Sequence, residues 1–238
     1  MAWYNKVIWS EGMFLQPQHF QQHDRYVESM IEGRCAGLRT YSWGVAKLAI
    51  DQQLLNQGKL TLVMGTGVLP DGTVFDVNED CDQSPILDVA ENTRNSLVFL
   101  ALPARRRNGA EVSGDDQQNN VARFSAREDE VCDYSAGSDN YAQIQTGQLR
   151  LRLMLESENR EDFICMPVAR IVEISADRKI TLDDRFIAPC LDVSEAPRVA
   201  GYLEEISGLL HHRGEALASR ITGSGQGGAA EIADYMML

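Results

Sequence analysis

Few side chains in this 238-residue chain are spaced for chemistry, and the nearest to it are histidines. His19 and His23 lie four residues apart in a segment of helical periodicity, a spacing that lets two imidazoles clamp a metal from one helix face. No third ligand stands close in sequence, and His19-Phe20-Gln21-Gln22-His23 lacks the glutamate of a zinc-protease motif. Two solvated or helix-capping histidines are therefore expected. His211 and His212 are adjacent, so on a helix they point to different faces and read as surface residues rather than proton carriers. Arg105-Arg106-Arg107 could grip phosphate, but they follow a strand and precede a glycine- and acid-containing loop, which suits a solvated hairpin tip. Gly223-Ser224-Gly225-Gln226-Gly227-Gly228 could cradle phosphate only between a strand and a helix; after a helical segment it reads as a linker or helix-hairpin turn. There is no Gly-x-Ser-x-Gly elbow. A glycosidase asks only for two carboxylates brought together by the fold, and 35 acids supply many pairs. A carbohydrate-binding or carbohydrate-cleaving protein is thus the alternative to an assembly protein. No catalytic residue, cofactor or metal ligand is expected.

Bulk composition narrows the classes further. With 22 basic against 35 acidic residues the formal charge is −13, the opposite sign to a nucleic-acid or anionic-membrane footprint. The apolar fraction of 44% and charged fraction of 24% suit a soluble globular chain of one large or two small domains. The 5 cysteines (Cys35, Cys81, Cys132, Cys165 and Cys190) form no close pair, which points to free thiols in a reducing compartment. Lys6 and then Glu11 forestall a signal-type apolar core, and the run from Leu97 to Ala104 contains Pro103 and is too short to span a bilayer. A cytoplasmic chain without membrane insertion is expected.

The elements that position these residues fall into three stretches. Pro17 to Leu38 has helical spacing, with Phe20, Val27, Ile31 and Leu38 on one face, flanked by Met30 and Cys35. Pro17 suits the first helical position and Gly37 the end. From Trp43 the period becomes two: Leu48 and Ile50, then Leu60, Leu62 and Met64. Val68 to Phe75 reads as two strands about the Pro70-Asp71-Gly72 turn. Further strands are predicted at Ile86–Val89, Leu97–Leu102, Val121–Phe124, Val131–Tyr134, Leu149–Leu155, Met166–Ile174 and Lys179–Leu182. Many short strands with almost no helix between them predict a mainly β fold, an antiparallel β-sandwich or barrel. After Pro189 the period changes again: Ser194 can cap, Pro197 fits a first turn, and a helix is expected to Ile221. Leu203, Ile206, Leu210 and Leu217 make a heptad-like stripe, widened by Val199, Tyr202 and Leu209 and interrupted by Arg213 and Arg220. Such a stripe recovers little free energy alone and needs a partner helix, in the same chain or another. Ala229 to Leu238 resumes as a helical stub.

Before the first helix runs Trp9-Ser10-Glu11-Gly12-Met13-Phe14-Leu15-Gln16-Pro17-Gln18-His19-Phe20. Met13, Phe14 and Leu15 are contiguous, so in an extended segment they point to both sides and something apolar must cover more than one of them. Pro17 pushes Gln16 out of the helical region, giving a pinned, irregular arm. Composition alone favours packing on its own domain over a partner-binding arm.

This run resembles the amino-terminal signature of the TssK family, baseplate subunits of the type VI secretion apparatus. Pro167-Val168-Ala169-Arg170-Ile171, Pro70-Asp71-Gly72 and Leu182-Asp183-Asp184-Arg185-Phe186-Ile187-Ala188-Pro189 extend the resemblance, the last with Ala188 where a second proline is expected, which loosens that corner. The resemblance covers the whole chain but only about half of a family member. It implies an arm, helix and β-sandwich shoulder over residues 1–190 and an incomplete helical neck over 191–238, with no counterpart of the carboxy-terminal head. It further implies a homotrimeric structural adaptor, not an enzyme. The shoulder would grip the TssF–TssG wedge, and the head would contact TssL and TssM of the TssJLM membrane complex. On that reading Trp9, Met13, Phe14, Leu15, Pro17 and Phe20 seat the wedge. Val199, Leu203, Ile206, Leu210, Leu217 and Ile221 form the oligomer seam, at the cytoplasmic face of the inner membrane.

Overall fold

The structure, a computed structural model, describes residues 3–81, 84–107, 109–113, 122–133, 135 and 140–223. Asn108, Val121, Tyr134, the glycine-rich run after Gly223 and the expected stub from Ala229 to Leu238 lie outside the described residues, as do the side chains of Arg220 and Ile221. The chain divides into two compact units, Met1–Leu191 and Asp192–Leu238.

In the first unit a 22-residue helix, α1 (Pro17–Leu38), occupies the predicted span. Pro17 stands at its start, where the missing N–H costs nothing. The other end differs from expectation. Gly37 stays inside the last turn and Arg39 caps the helix in an extended conformation, its N–H donating to the Cys35 carbonyl. There follow β1 (Gly44–Ile50), the short helix α2 (Gln52–Leu55), β2 (Lys59–Val68), β3 (Val74–Asp76) and β4 (Ile86–Asp88). Next come β5 (Ser96–Pro103), β6 (Val112–Ser113), β7 (Phe124–Cys132), β8 (Tyr141–Leu149), β9 (Arg152–Leu155), β10 (Phe163–Ile174) and β11 (Ile180–Leu182). One sheet runs β1-β2-β3 with β4 also on β2, a second runs β11-β10-β5-β9, and a third runs β6-β7-β8. All their pairings are antiparallel except the short β6–β7 pair.

The first two sheets share one core. Val98, Leu100 and Leu102 of β5 point inward at the period of two, and with Met166 and Ile171 of β10 they join Val45, Leu60, Leu62 and Phe75 of the facing sheet. Met64 departs from the expected alternation and is 38% exposed. The cause is a bulge. Ala49 pairs with Met64 but Ile50 pairs with Leu62, so Val63 is an extra residue and the inward parity flips. Beyond it the inward positions are Gly65 and Gly67, and a Cβ on Gly67 would lie 2.3 Å from the Gly44 carbonyl oxygen. A second bulge in β10, between Pro167 and Ala169, lets proline sit in a central strand.

The third sheet is a solvated ribbon. β7 and β8 pair without a break from Phe124–Leu149 to Cys132–Tyr141, and most of their side chains are exposed. The predicted pair Val121–Phe124 and Val131–Tyr134 is replaced by one continuous strand through Ser125 to Glu130. The predicted Leu149–Leu155 strand is split at Arg150-Leu151. In the corner before Pro189, Asp183 accepts from the Arg185 N–H at 2.9 Å, and Ala188 packs against the core. The strap after it bonds to β1 through Val45 N to Pro189 O and Leu191 N to Val45 O, both 2.8 Å.

The second unit, taken by itself, opens with a 3-10 turn at Val193–Glu195 capped by Asp192, whose carboxylate accepts from the Ser194 N–H. It continues as the 27-residue helix α3 (Pro197–Gly223). Among the described residues no helix is long and apolar enough to cross a membrane.

Candidate partner-docking surface

α1 forms because its first turn is closed on both sides. Gln16 and His19 make a reciprocal cap, in which His19 Nδ1 accepts from the Gln16 N–H at 3.1 Å. The expected capping histidine is thus His19. Nothing in this helix is buried. Gln22, Arg25, Tyr26 and Ser29, which share one side, are half-buried, as is Val27 of the apolar face, whereas Phe20, Ile31 and Leu38 of that face are 54%, 54% and 86% exposed. The polarity is the reverse of a helix packed by its apolar stripe. Over the 18 steps from Phe20 to Leu38 that stripe runs about 27 Å.

The arm is bonded to the helix. Gln22 Nε2 donates to the carbonyls of Trp3 (3.1 Å) and Asn5 (2.7 Å), and the Arg25 guanidinium lies 4.8 Å from the Trp3 ring centre. Trp9 packs among His19, Phe20 and His23 with ring centroids 6.1–6.4 Å apart. Gly12, at φ +76°, turns the arm beneath the apolar trio. Trp9 and Leu15 are about half exposed, Phe14 is 83% exposed, Met13 is half-buried and Pro17 is exposed. Trp9 meets Phe20, and Met13, Phe14, Leu15 and Pro17 lie between them in sequence, at the amino-terminal end of the α1 stripe. Sequence reasoning placed Ile31 and Leu38 on one helical face without assigning that face to a site. Their exposure, which periodicity does not encode, joins them to it.

Beneath α1 the sandwich presents charge. Glu28 pairs with Arg105, which also lies 3.8 Å from Glu111, and the Glu28 hydrogen bond chiefly raises the Arg105 pKa against the lowering effect of burial. Arg106 pairs with Asp162 and, like Arg107, stays exposed as expected of a solvated tip, whereas Arg105 is drawn against α1. Arg123, unnoticed in the sequence, is 2% exposed and donates to the Pro103 carbonyl (2.9 Å), Asp71 Oδ2 (2.8 Å) and Thr73 Oγ1. It pins the Pro70–Gly72 turn under the helix. Gly72 has φ +83°, and a Cβ there would lie 3.2 Å from Glu32 Cγ of α1.

On α3, Leu203 and Ile206 are each 53% exposed and Leu210 46%, Val199 is half-buried, and Leu217 is buried at 9%. Tyr202 and Leu209 widen the exposed part of the stripe. Among the described residues no group of three or more His, Cys, Asp or Glu side chains could hold a metal ion.

A family model of bacterial type VI secretion proteins that include EvfL, ImpJ and VasE matches residues 19–238. The chain is 42% identical over all 238 residues to the type VI secretion system baseplate component TssK1 of Pseudomonas aeruginosa, and it spans 54% of that protein's length. It therefore spans about half the length of the curated relative it matches. A crystal structure of TssK superposes with a TM-score of 0.86 at 37% identity, covering 99% of this chain and 53% of that one. A chain of a cryo-electron microscopy structure of a type VI TssK–TssF–TssG baseplate subcomplex is similar at 25% identity and a TM-score of 0.78, covering 93% of this chain and 72% of that one. These relatives do not favour the carbohydrate reading. With its sandwich, its amino-terminal helix and its sequence all matched over nearly their full extent, the chain belongs to the TssK family of type VI secretion proteins.

Proposed function

We propose that this chain is a structural subunit of the type VI secretion baseplate that seats a TssF–TssG wedge on its arm and first helix. The observation that carries the reading is the outward apolar stripe of α1, continuous with Trp9, Met13, Phe14, Leu15, Pro17 and Phe20. Covering Phe14, Phe20, Ile31 and Leu38 with a partner would contribute on the order of 6 kcal/mol before ordering costs. A similar chain, solved in a TssK–TssF–TssG baseplate subcomplex, supports TssF–TssG as that partner. Residues 1–190 act as the shoulder and residues 191–238 as part of a neck. Copies join as a homotrimer along Val199, Leu203, Ile206, Leu210, Leu217 and Ile221. Contact with TssL and TssM, and so with the membrane complex, falls to a head outside these residues. The work is assembly at the cytoplasmic face of the inner membrane, with no reaction and no cofactor.

The purified chain mixed with TssF–TssG should co-elute from a sizing column at micromolar concentration. Phe14→Asp should weaken that association by about thirtyfold or more, since it places a charge in an apolar contact, and should leave the melting temperature unchanged. Separate elution of the wild type contradicts the reading. A Phe14→Asp chain that melts early yet still binds would assign the arm to the core of its own domain.

A further inference from the structure

We infer that the arm and α1 form a single strap, clipped to the sandwich by charge rather than by buried apolar surface, and able to undock as a unit. The contacts within the strap are short and varied. Gln22 bonds two arm carbonyls, Arg25 covers Trp3, and Trp9 rests on the first two turns of α1. The joint to the sandwich is of a different kind. Glu28 meets Arg105, backed by Glu111, and Glu32 lies over Gly72 of the turn that Arg123 pins through Asp71. No α1 residue belongs to the core, Tyr26 and Val27 are only half-buried, and the Glu28 and Arg105 side chains are 52% and 27% exposed, within reach of solvent screening.

An element held this way opens at low free-energy cost while the sheets beneath it stay closed. Arg123 belongs to the sandwich side of the joint, so the socket persists when the strap leaves. A partner gripping the outer stripe can then move the arm and helix together without disturbing Val98, Leu100 or Leu102. This behaviour stands whether or not TssF–TssG is the partner.

The test is amide hydrogen exchange on the full chain, read by mass spectrometry for peptides covering α1 and β5 separately. In low salt α1 should exchange faster than β5. Raising the salt to 1 M, or introducing Arg105→Gln, should speed α1 by about two- to fivefold and leave β5 unchanged. Glu28→Gln, which alters only the strap side, should match Arg105→Gln, and it decides the matter if the arginine variant misfolds. Exchange of α1 in step with β5 overturns the inference, and so does α1 protection that ignores both salt and the Glu28→Gln change.

Discussion

Arg123 carries a full charge at 2% exposure, and three oxygen acceptors, from Asp71, Thr73 and Pro103, hold it there. Burying a guanidinium is tolerable only with such partners, and removing it leaves Asp71 Oδ2 without its ion-pair partner while Oδ1 keeps the Thr73 N–H. Arg123→Met should therefore cost about 3 kcal/mol of stability by urea denaturation, far more than its loss of packing volume. A cost under about 1 kcal/mol would mean that the turn is held by other contacts. Sequence offers no sign of this role, because Arg123 has nothing nearby to mark it as inward. Its partners come from positions 71, 73 and 103, and only the tertiary fold brings them together. His19 is the opposite case. Sequence leaves it as a solvated or capping histidine, and its place in the first turn of α1 makes it the cap.

At the scale of elements, legibility followed solvent contrast. α1 could be delimited because Pro17 starts it and its apolar residues recur at helical spacing. The strands of the two core sheets alternate and were found near their observed positions. β8 is not legible in the sequence because Tyr141 to Gln145 are exposed on both faces of the ribbon, where alternation has nothing to report. Met64 was placed inward because a bulge is silent in the hydropathy pattern. The bulge makes a sharp prediction. Leu62→Ala, in the core, should lose about 2–5 kcal/mol, while Met64→Ala should lose under about 1 kcal/mol. Comparable losses at both positions, measured by chemical denaturation, would place Met64 back inside. For the docking surface, sequence located the apolar trio and the helical face. It could not say that α1 would turn its polar side to the sandwich, since that depends on Arg105 and on the turn beneath it.

Across the whole molecule, apolar surface left uncovered at the arm, along α1 and on the 203–210 stretch of α3 gives the chain reason to associate. Its charge of −13 keeps it soluble meanwhile and disfavours anionic partners. The α3 stripe makes its own prediction. Light scattering should report trimers of the wild-type chain, and Ile206→Asp should shift the mass toward monomer, because a charge in an apolar seam is left unpaired. A wild-type monomer would instead assign the stripe to contacts within one chain. The most direct test of the account as a whole is the absolute mass of the particle in solution, measured with and without TssF–TssG. A trimer that gains the mass of the wedge on mixing, and loses that gain in the Phe14→Asp variant, is expected. A particle whose mass is unaffected by the wedge at micromolar concentration would contradict it.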